Sequence, residues 1–324
     1  MILGPRIPLA VLLAAAALPG CSRSPEPSPR SSAQAPVDGG GRIAFVQPRV
    51  GVPMATRILM IAPDGSELAP LDLGNLSASA PAFSPDGGAL AFQVRERPAE
   101  SDIYTADIAR DEPSRVTTDP GEHTTPDWSP NGRKIAYTST VTGDSEIWAV
   151  NADGSDPVQL THNRSIDVGP DWSPDGRRIV FTSGRDDNFE IYVMRADGSH
   201  SVRLTHNSRG VPDQTPAWSP DGRHIAWSSA ATGDLEIWVM DADGSDKVQL
   251  THSRGVDSGP SWSPDGRRIA FSSDRSGDVQ LWTMSADGSN SAQLTPADSP
   301  PSFAPAWSSD PRAISQDMPH PPSP

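Results

Sequence analysis

The chain of 324 residues carries 26 Lys and Arg against 41 Asp and Glu, which gives a formal net charge of −15. A protein that follows nucleic-acid phosphates needs a clustered basic face, so this charge argues against nucleic acid as a partner. The single cysteine, Cys21, excludes an intrachain disulfide.

Residues 1–21 have the features of an export signal. Arg6 precedes a run of ten apolar residues, 9–18, which is too short to cross a bilayer and is typical of a signal-peptide core. The segment Leu18-Pro19-Gly20 leads directly to Cys21 and resembles the lipobox of bacterial lipoproteins. The resemblance implies that Cys21 is acylated and anchors the protein to a membrane. An ordinary export signal with an incidental cysteine is the alternative.

Residues 22–40 are rich in Ser, Pro and Gly and show no apolar periodicity. They predict a solvated tether that reaches about 60 Å at about 3.1 Å per residue. Ser22 follows the cysteine, and by resemblance to lipoprotein sorting signals it implies an outer-membrane anchor in a Gram-negative cell. The last residues, 311–324, predict a disordered Pro-rich tail.

One short motif recurs six times between the tether and the tail. Five copies read Phe/Trp-Ser-Pro-Asp/Asn-Gly, and a decayed copy reads Trp-Ser-Ser-Asp; the intervals are 45, 44, 46, 44 and 45 residues. The copies begin at Phe83, Trp128, Trp172, Trp218, Trp262 and Trp307. A period of this length, built from short strands and Gly-containing turns, indicates the blades of a β-propeller.

Each repeat contains four strand-like segments, A to D. In the best-preserved repeat, A is 170–173, B is 178–183, C is 190–194 and D is 202–205. Ser-Pro-Asp-Gly joins A to B and Ala-Asp-Gly-Ser joins C to D, and both sequences favour tight turns.

The two ends of the repeat array complete each other. The first B segment, 42–46, has no A segment before it, whereas a spare A segment, 305–308, follows the last complete repeat. We therefore predict an all-β protein: a six-bladed β-propeller of four-stranded antiparallel blades over residues 41–310. The C-terminal strand joins the three N-terminal strands and closes the ring, which removes exposed sheet edges.

These repeats resemble the TolB-type, WD-repeat-like propeller (PD repeat) of bacterial envelope proteins. The resemblance rests on x-P-x-W-S-P-D-G, R-x-I-A-F-x-S, E-I-W-V-M-x-A-D-G-S and V-x-L-T. It implies a monomeric binding scaffold in the cell envelope, facing the periplasm or another extracytoplasmic space. TolB joins its propeller to an N-terminal α/β domain, for which the 19 residues 22–40 leave no room.

Three consecutive D to A loops carry the same polar residues. The sets are His162, Arg164 and Asp167; His206, Arg209 and Asp213; and His252, Arg254 and Asp257. The preceding loop has only His123, at the place its neighbours use for Asp. D to A loops surround one mouth of a propeller channel, so we predict a partner-binding rim where the aspartates seat Lys or Arg of a basic segment. Copied repeat sequence with weak surface ion pairs is the alternative.

Asp127 and Asp171 each precede the tryptophan of an A segment. Neighbouring blades bring the two carboxylates towards the channel, where calcium could join them. Solvated, isolated aspartates are the alternative, and no cofactor is required.

Catalytic motifs are absent from the sequence. It contains no G-x-S-x-G, C-x-x-C or H-E-x-x-H, so no catalytic residue is predicted. We predict a lipid-anchored, non-enzymatic envelope propeller that binds a protein or peptide at the channel mouth. One alternative is a carbohydrate-active propeller that resembles oligogalacturonate lyases and uses a rim histidine with a divalent metal. The other is a purely structural envelope scaffold.

Overall fold

A computed structural model of the protein describes residues 41–110 and 112–308. Regular structure in these ranges consists of 24 strands in six four-stranded antiparallel sheets, which confirms the predicted six-bladed propeller. None of these residues belongs to a helix long and apolar enough to cross a bilayer. The predicted signal 1–21 with Cys21, the tether 22–40 and the tail 311–324 lie outside the described residues.

Each sheet is one blade, and its four strands follow one another from the channel outwards. Blade 1 contains β24 (Phe303–Trp307), β1 (Ile43–Pro48), β2 (Thr56–Ile61) and β3 (Ala69–Pro70). Blade 2 contains β4 (Ala78–Phe83), β5 (Ala89–Arg97), β6 (Glu100–Asp107) and β7 (Glu112–Arg115). Blade 3 contains β8 (His123–Trp128), β9 (Lys134–Ser139), β10 (Glu146–Asn151) and β11 (Val158–Gln159).

The remaining three blades repeat the same order. Blade 4 contains β12 (Asp167–Trp172), β13 (Arg178–Ser183), β14 (Glu190–Arg195) and β15 (Val202–Arg203). Blade 5 contains β16 (Asp213–Trp218), β17 (His224–Ser229), β18 (Glu236–Asp241) and β19 (Val248–Gln249). Blade 6 contains β20 (Asp257–Trp262), β21 (Arg268–Ser273), β22 (Gln280–Ser285) and β23 (Ala292–Gln293). The four strands of every blade are the predicted segments A, B, C and D.

The A to B turns form as the Ser-Pro-Asp-Gly sequence predicts. In blade 4 the Ser173 hydroxyl donates to Asp175 Oδ1 at 2.6 Å, and the Gly176 N–H donates to the Ser173 carbonyl at 2.8 Å. Gly176 has a φ of 70°, which a residue with a side chain rarely adopts. The turn therefore depends on Ser, Asp and Gly together.

Every A strand contains a bulge next to the channel. One residue of the strand has a left-handed φ in all six blades, and the register with strand B shifts there. Two of these residues are glycines, and the other four accept strained backbone. The six residues are Ala80, Thr125, Gly169, Thr215, Gly259 and Ala304.

The apolar core lies at the seams between blades. One cluster joins Val180 and Ile191 of blade 4 to Trp218, Trp227 and Met240 of blade 5. B strands are apolar on both faces because each lies between two neighbouring sheets. Fully burying such a side chain stabilises the fold by about 1.5–3 kcal/mol, so each blade depends on its neighbours.

Strand β24 closes the ring by pairing with β1, as predicted. The Arg42 N–H donates to the Ser308 hydroxyl at 2.6 Å, and the Ser308 N–H donates to the Arg42 carbonyl at 2.8 Å. Strand β1 begins and β24 ends at the face that carries the A to B and C to D turns, which we call the turn face. The described chain therefore starts and stops on this one face.

Candidate functional site

The D to A loops and the B to C loops share the opposite face, which we call the rim face. Antiparallel strands within each blade impose this division, because alternate connections lie at opposite ends. We call the contact between two neighbouring blades a junction and name it by their numbers, so that junction 3/4 joins blades 3 and 4. The three predicted sets of His, Arg and Asp follow D strands at three successive junctions, 3/4, 4/5 and 5/6. The structure therefore brings them to one arc of the rim face.

The histidines and arginines of these loops are exposed, as a binding rim requires. They have no hydrogen-bond or ion-pair partner among the residues that the structure describes. The six are His162, Arg164, His206, Arg209, His252 and Arg254. They are available to a partner without any change in the fold.

The aspartates of the same loops are buried, so the expectation that they seat a basic segment at the surface is wrong. Asp167 and Asp257 are 0% exposed, and Asp213 is 1% exposed. Each is the first residue of an A strand, and its N–H donates at 2.8 Å to a carbonyl of the preceding blade. They belong to the junctions and lie beneath the surface.

At junction 3/4, Asp167 is surrounded by donors. Ser183 Oγ donates to it at 2.5 Å, Asn163 Nδ2 at 2.6 Å and Arg185 Nη2 at 2.8 Å. Its cation is thus Arg185, from the B to C loop of its own blade, and not Arg164 from the D to A loop. Three donors satisfy the hydrogen-bonding capacity of this carboxyl group in a buried place.

A second buried acid faces each aspartate from the preceding blade. Glu146 begins strand C of blade 3, and its Oε2 accepts from Thr161 Oγ1 at 2.5 Å. Its Oε1 accepts from the Asn163 N–H at 2.7 Å. The same contact recurs in the next three blades, as Thr205 to Glu190, Thr251 to Glu236 and Thr295 to Gln280. The threonine is that of the repeated V-x-L-T segment, so this segment holds the D to A loop to strand C.

The partners of the buried acids differ among the other junctions. At junction 4/5, Arg203 forms an ion pair with Glu190 at 2.7 Å. At junction 6/1 the acids are absent, since Gln280 and Ser302 occupy the two positions. At junction 2/3, Arg115 pairs with Asp102 at 2.5 Å.

His123 takes the aspartate position at junction 2/3 and is also buried, at 1% exposure. Its Nε2 lies 2.9 Å from the Asp119 carbonyl, and its ring meets Tyr137 edge-on at 5.6 Å between centroids. The expectation that His123 lies on the binding surface is therefore wrong. Its backbone carbonyl accepts from the Ser101 hydroxyl, which fixes the strand to blade 2.

Junction 5/6 brings two buried acids, Glu236 and Asp257, together. Burial raises the pKa of Glu236 to about 7, and the nearby Asp257 adds to this effect. Arg275 pairs with Asp257 through Oδ2, while Asp257 Oδ1 is buried and has no donor in the described structure. A protonated Glu236 supplies the donor that this oxygen lacks.

Asp127 and Asp171 lie at the channel, each bound to the next blade. Asp127 Oδ2 accepts from the Trp172 N–H at 2.7 Å, and Asp171 Oδ2 accepts from the Trp218 N–H at 2.7 Å. Burial raises the pKa of Asp127 to about 7, and burial together with Asp127 raises that of Asp171. The pair links blades 3, 4 and 5 in series.

Calcium at this pair stays a prediction. Calcium takes six to eight oxygen ligands, and one oxygen of each carboxylate already accepts from the backbone. Within residues 41–110 and 112–308, no group of three or more His, Cys, Asp or Glu side chains could hold a metal ion. The arrangement itself explains the two carboxylates as links between blades.

We predict that Glu236→Gln stabilises the protein above neutral pH. The pKa of Glu236 is raised from about 4.5 to about 7 on folding, so the charged form costs folding free energy as pH rises through this window. Glutamine keeps an acceptor for the Thr251 hydroxyl, as Gln280 accepts from Thr295, and its amide N–H can donate to Asp257 without adding a charge. We expect a gain of about 1–3 kcal/mol in unfolding free energy at pH 8, fading towards pH 4.5.

Glu190→Gln is the matched control, because it removes the acid of an ion pair with Arg203. It should cost about 1–3 kcal/mol, because Arg203 loses the buried one of its two acidic partners and keeps only the partly exposed Asp186. Denaturant unfolding of both variants at pH 5 and pH 8 measures the difference. A Glu236→Gln variant less stable than the parent at pH 8 would contradict the raised pKa of Glu236.

Comparison with known families agrees with this architecture. The family model described as the TolB beta propeller domain, PD40, matches residues 40–213 and 208–316, which is most of the chain. Among curated proteins, the Tol-Pal system protein TolB of Alcanivorax borkumensis is 31% identical over 80 residues. That match spans 25% of this chain and 18% of the relative, so the chain aligns with less than a fifth of the relative's length.

Solved structures show the same fold. The crystal structure of TolB from Acinetobacter baumannii matches with a TM-score of 0.75 and 24% identity, over 84% of this chain and 68% of that one. An oligogalacturonate lyase from Vibrio parahaemolyticus matches with a TM-score of 0.51 and 15% identity, over 70% and 71%. Identities this low show the fold alone. The family model covers the whole ring, and the chain therefore belongs to the TolB β-propeller (PD40) family.

Proposed function

We propose that this protein is an exported, lipid-anchored, monomeric propeller of the bacterial cell envelope that binds a protein or peptide on its rim face without catalysis. The main support is the arc of exposed His and Arg side chains at junctions 3/4, 4/5 and 5/6, which have no partner among the described residues. Membership of the TolB propeller family and the similarity to a Tol-Pal system protein support an envelope role.

The exposed charges define the chemistry of the partner. The arc presents Arg164, Arg209 and Arg254, whose guanidinium groups suit carboxylates and backbone carbonyls. The B to C loops of the same face expose Asp144, Asp234 and other single aspartates, which are the groups left for basic side chains. A partner segment of mixed charge fits this face better than the basic segment predicted from the sequence.

Apolar side chains are also exposed on the rim face. The loop between β1 and β2 presents Val50 and Met54, each 84% exposed, and Val52 at 52%. Arg49 fixes the base of this loop through bonds from Nη2 to the carbonyls of Gly74 and Leu76. Apolar groups that a partner can cover favour protein binding over a purely structural role.

The two ends of the described chain leave the rim face free for a partner. Residues 41 and 308 both lie on the turn face, and Cys21 precedes residue 41 in the sequence. A lipid anchor at Cys21 would therefore join the propeller through the turn face. An acylated cysteine and a free rim face are therefore compatible.

The carbohydrate-lyase alternative has no observation in its favour. His162, His206 and His252 lie on separate junctions, and the described residues bring no third metal-binding side chain to any of them. The likeness to an oligogalacturonate lyase concerns the fold. We therefore advance only the binding function.

We predict that a photo-reactive residue at position 206 crosslinks to a discrete envelope partner, whereas one at position 243 on the turn face does not crosslink to that same partner. Replacing Arg164, Arg209 and Arg254 with Ala should weaken the association about tenfold, since three exposed ion pairs of about 0.5 kcal/mol each are lost. Adduct yield against partner concentration measures the change, and higher salt should lower it.

The matched control replaces Arg177, Arg223 and Arg267 with Ala, which removes the same charge from exposed sites on the turn face. This variant should bind as the parent does, and both triple variants should keep the parental melting temperature. Adducts formed only at position 243, or equal weakening by both triple variants, would place the binding face elsewhere.

For the anchor, we predict that labelled fatty acid enters the parent chain and not Cys21→Ser. The variant should appear in the soluble fraction of the envelope, because its only acylation site is gone. Equal labelling of both chains would remove the lipid anchor from the proposal and leave the rim-face binding to be judged by the crosslinks.

A further inference from the structure

Two blade junctions stack an arginine on a tryptophan at the turn face. Arg178 begins strand B of blade 4, and its guanidinium lies 4.5 Å from the ring centroid of Trp218 in blade 5. Arg268 begins strand B of blade 6 and lies 4.8 Å from the ring of Trp307 in blade 1. Both tryptophans are buried under these cations, at 6% and 8% exposure. The contact is a cation–π interaction that also covers the indole.

Junction 5/6 lacks this arginine. His224 takes the place of Arg178 and Arg268, since each of the three begins its strand B opposite the last residue of strand C. The imidazole is shorter than an arginine side chain, and its Nε2 lies 3.5 Å from Asp241. The indole of Trp262 is consequently only half-buried.

A cavity of about 430 Å³ opens where the arginine would lie. Its lining includes Trp262, His224, Asp221, Asp265 and Val239. Pockets that hold small ligands begin at about 300 Å³, so the space accommodates an arginine side chain from outside the chain.

The two aspartates of the cavity are charged and only partly engaged. Asp221 Oδ1 accepts from the Ser219 hydroxyl, and Asp265 Oδ1 accepts from the Ser263 hydroxyl, both at 2.6 Å. Burial opposes ionisation, but these bonds and a backbone N–H outweigh it and lower the pKa of both carboxyls. The Oδ2 atoms receive no donor from the described residues.

This combination occurs at one junction within the described ring. At junction 2/3 the arginine position is Ala89 and Trp128 is half-buried, but Asn131 replaces one of the two turn aspartates. At junction 3/4, Lys134 takes the position and donates to Asn151 at 3.1 Å. Among the described residues, only those of junction 5/6 combine two turn aspartates with a half-buried tryptophan that no cationic side chain covers.

We infer that the cavity at junction 5/6 binds a guanidinium group from outside the chain, flat against Trp262 and hydrogen-bonded to Asp221 and Asp265. The group takes the place that Arg178 and Arg268 fill at their own junctions. It comes either from a free guanidinium compound or from an arginine side chain of a partner protein. The site lies on the turn face and does not depend on the proposed rim-face function.

The test uses the full chain and N-acetyl-L-arginine methylamide, followed by the indole N–H signals in ¹⁵N NMR spectra. The Trp262 indole N–H, which donates to the Ala217 carbonyl at 3.3 Å, should shift and saturate. The lysine analogue should bind more weakly, because a guanidinium is planar and stacks on an indole. Absence of a saturable shift at Trp262 would overturn the inference.

Two variants test whether guanidinium binds at junction 5/6 because this junction lacks the arginine. His224→Arg should fold, since blades 4 and 6 carry Arg there, and should raise the dissociation constant about tenfold or more by filling the cavity. Arg178→His should open a second site over Trp218 and raise the stoichiometry from one to two. Unchanged binding by His224→Arg, or no new site in Arg178→His, would overturn the inference even if one variant failed to fold.

A short peptide with one central arginine separates the two sources. Affinity about tenfold above that of the single residue would indicate a partner protein segment, since contacts beside the guanidinium then contribute. Equal affinity would indicate a free guanidinium compound. Both outcomes support the site. Weaker binding of the peptide or of the single residue to His224→Arg confirms that the ligand occupies the cavity at junction 5/6.

Discussion

The seam between neighbouring blades is the constraint on which the rest of the structure depends. A four-stranded blade has two apolar faces and cannot bury either of them alone. Each seam therefore contains an apolar cluster. Polar contacts add to it at some seams: buried acids at the rim face of junctions 2/3 to 5/6, and arginine on tryptophan at the turn face of junctions 4/5 and 6/1. The ring depends on every blade having a neighbour on both sides.

The two proposed binding sites lie where a junction departs from the pattern of its neighbours. On the rim face the acids that begin the A strands are buried in the junctions, while the His and Arg side chains of the D to A loops stay exposed beside single aspartates of the B to C loops. On the turn face, junction 5/6 has a histidine where two other junctions have an arginine, and a cavity lies there. The two faces thus offer different chemistry, loops of mixed charge on one and an acidic aromatic pocket on the other, without altering the blades.

The fold could be predicted from the sequence because strands, turns and period are local features. The spare A segment at 305–308 even predicted how the ring closes. The burial of Asp167 could not be predicted, because a loop residue in sequence becomes the first residue of a strand only when the preceding blade supplies a carbonyl for its N–H. The sequence did contain one indication of these buried contacts. The Glu that begins segment C and the Thr that ends segment D occur together in three consecutive repeats, as Glu146 and Thr161 do, and such pairs are expected of side chains in contact. The cavity likewise depends on His224 at a position where blades 3, 4 and 6 have Lys or Arg. This difference predicts a cavity only when it is known that Trp262 of the next blade lies beside His224.

The most direct test of the account is the thermal unfolding of the chain without residues 302–324, compared with the chain without residues 311–324. The longer deletion removes β24, and with it Trp307 and the bonds between Ser308 and Arg42. We expect that chain to be insoluble or to melt about 10 °C or more below the parent, because loss of a buried tryptophan alone costs about 3–5 kcal/mol. The shorter deletion keeps every described strand and should melt with the parent in one transition. A soluble chain without β24 that melts cooperatively at the parental temperature would contradict a ring held by six complete seams.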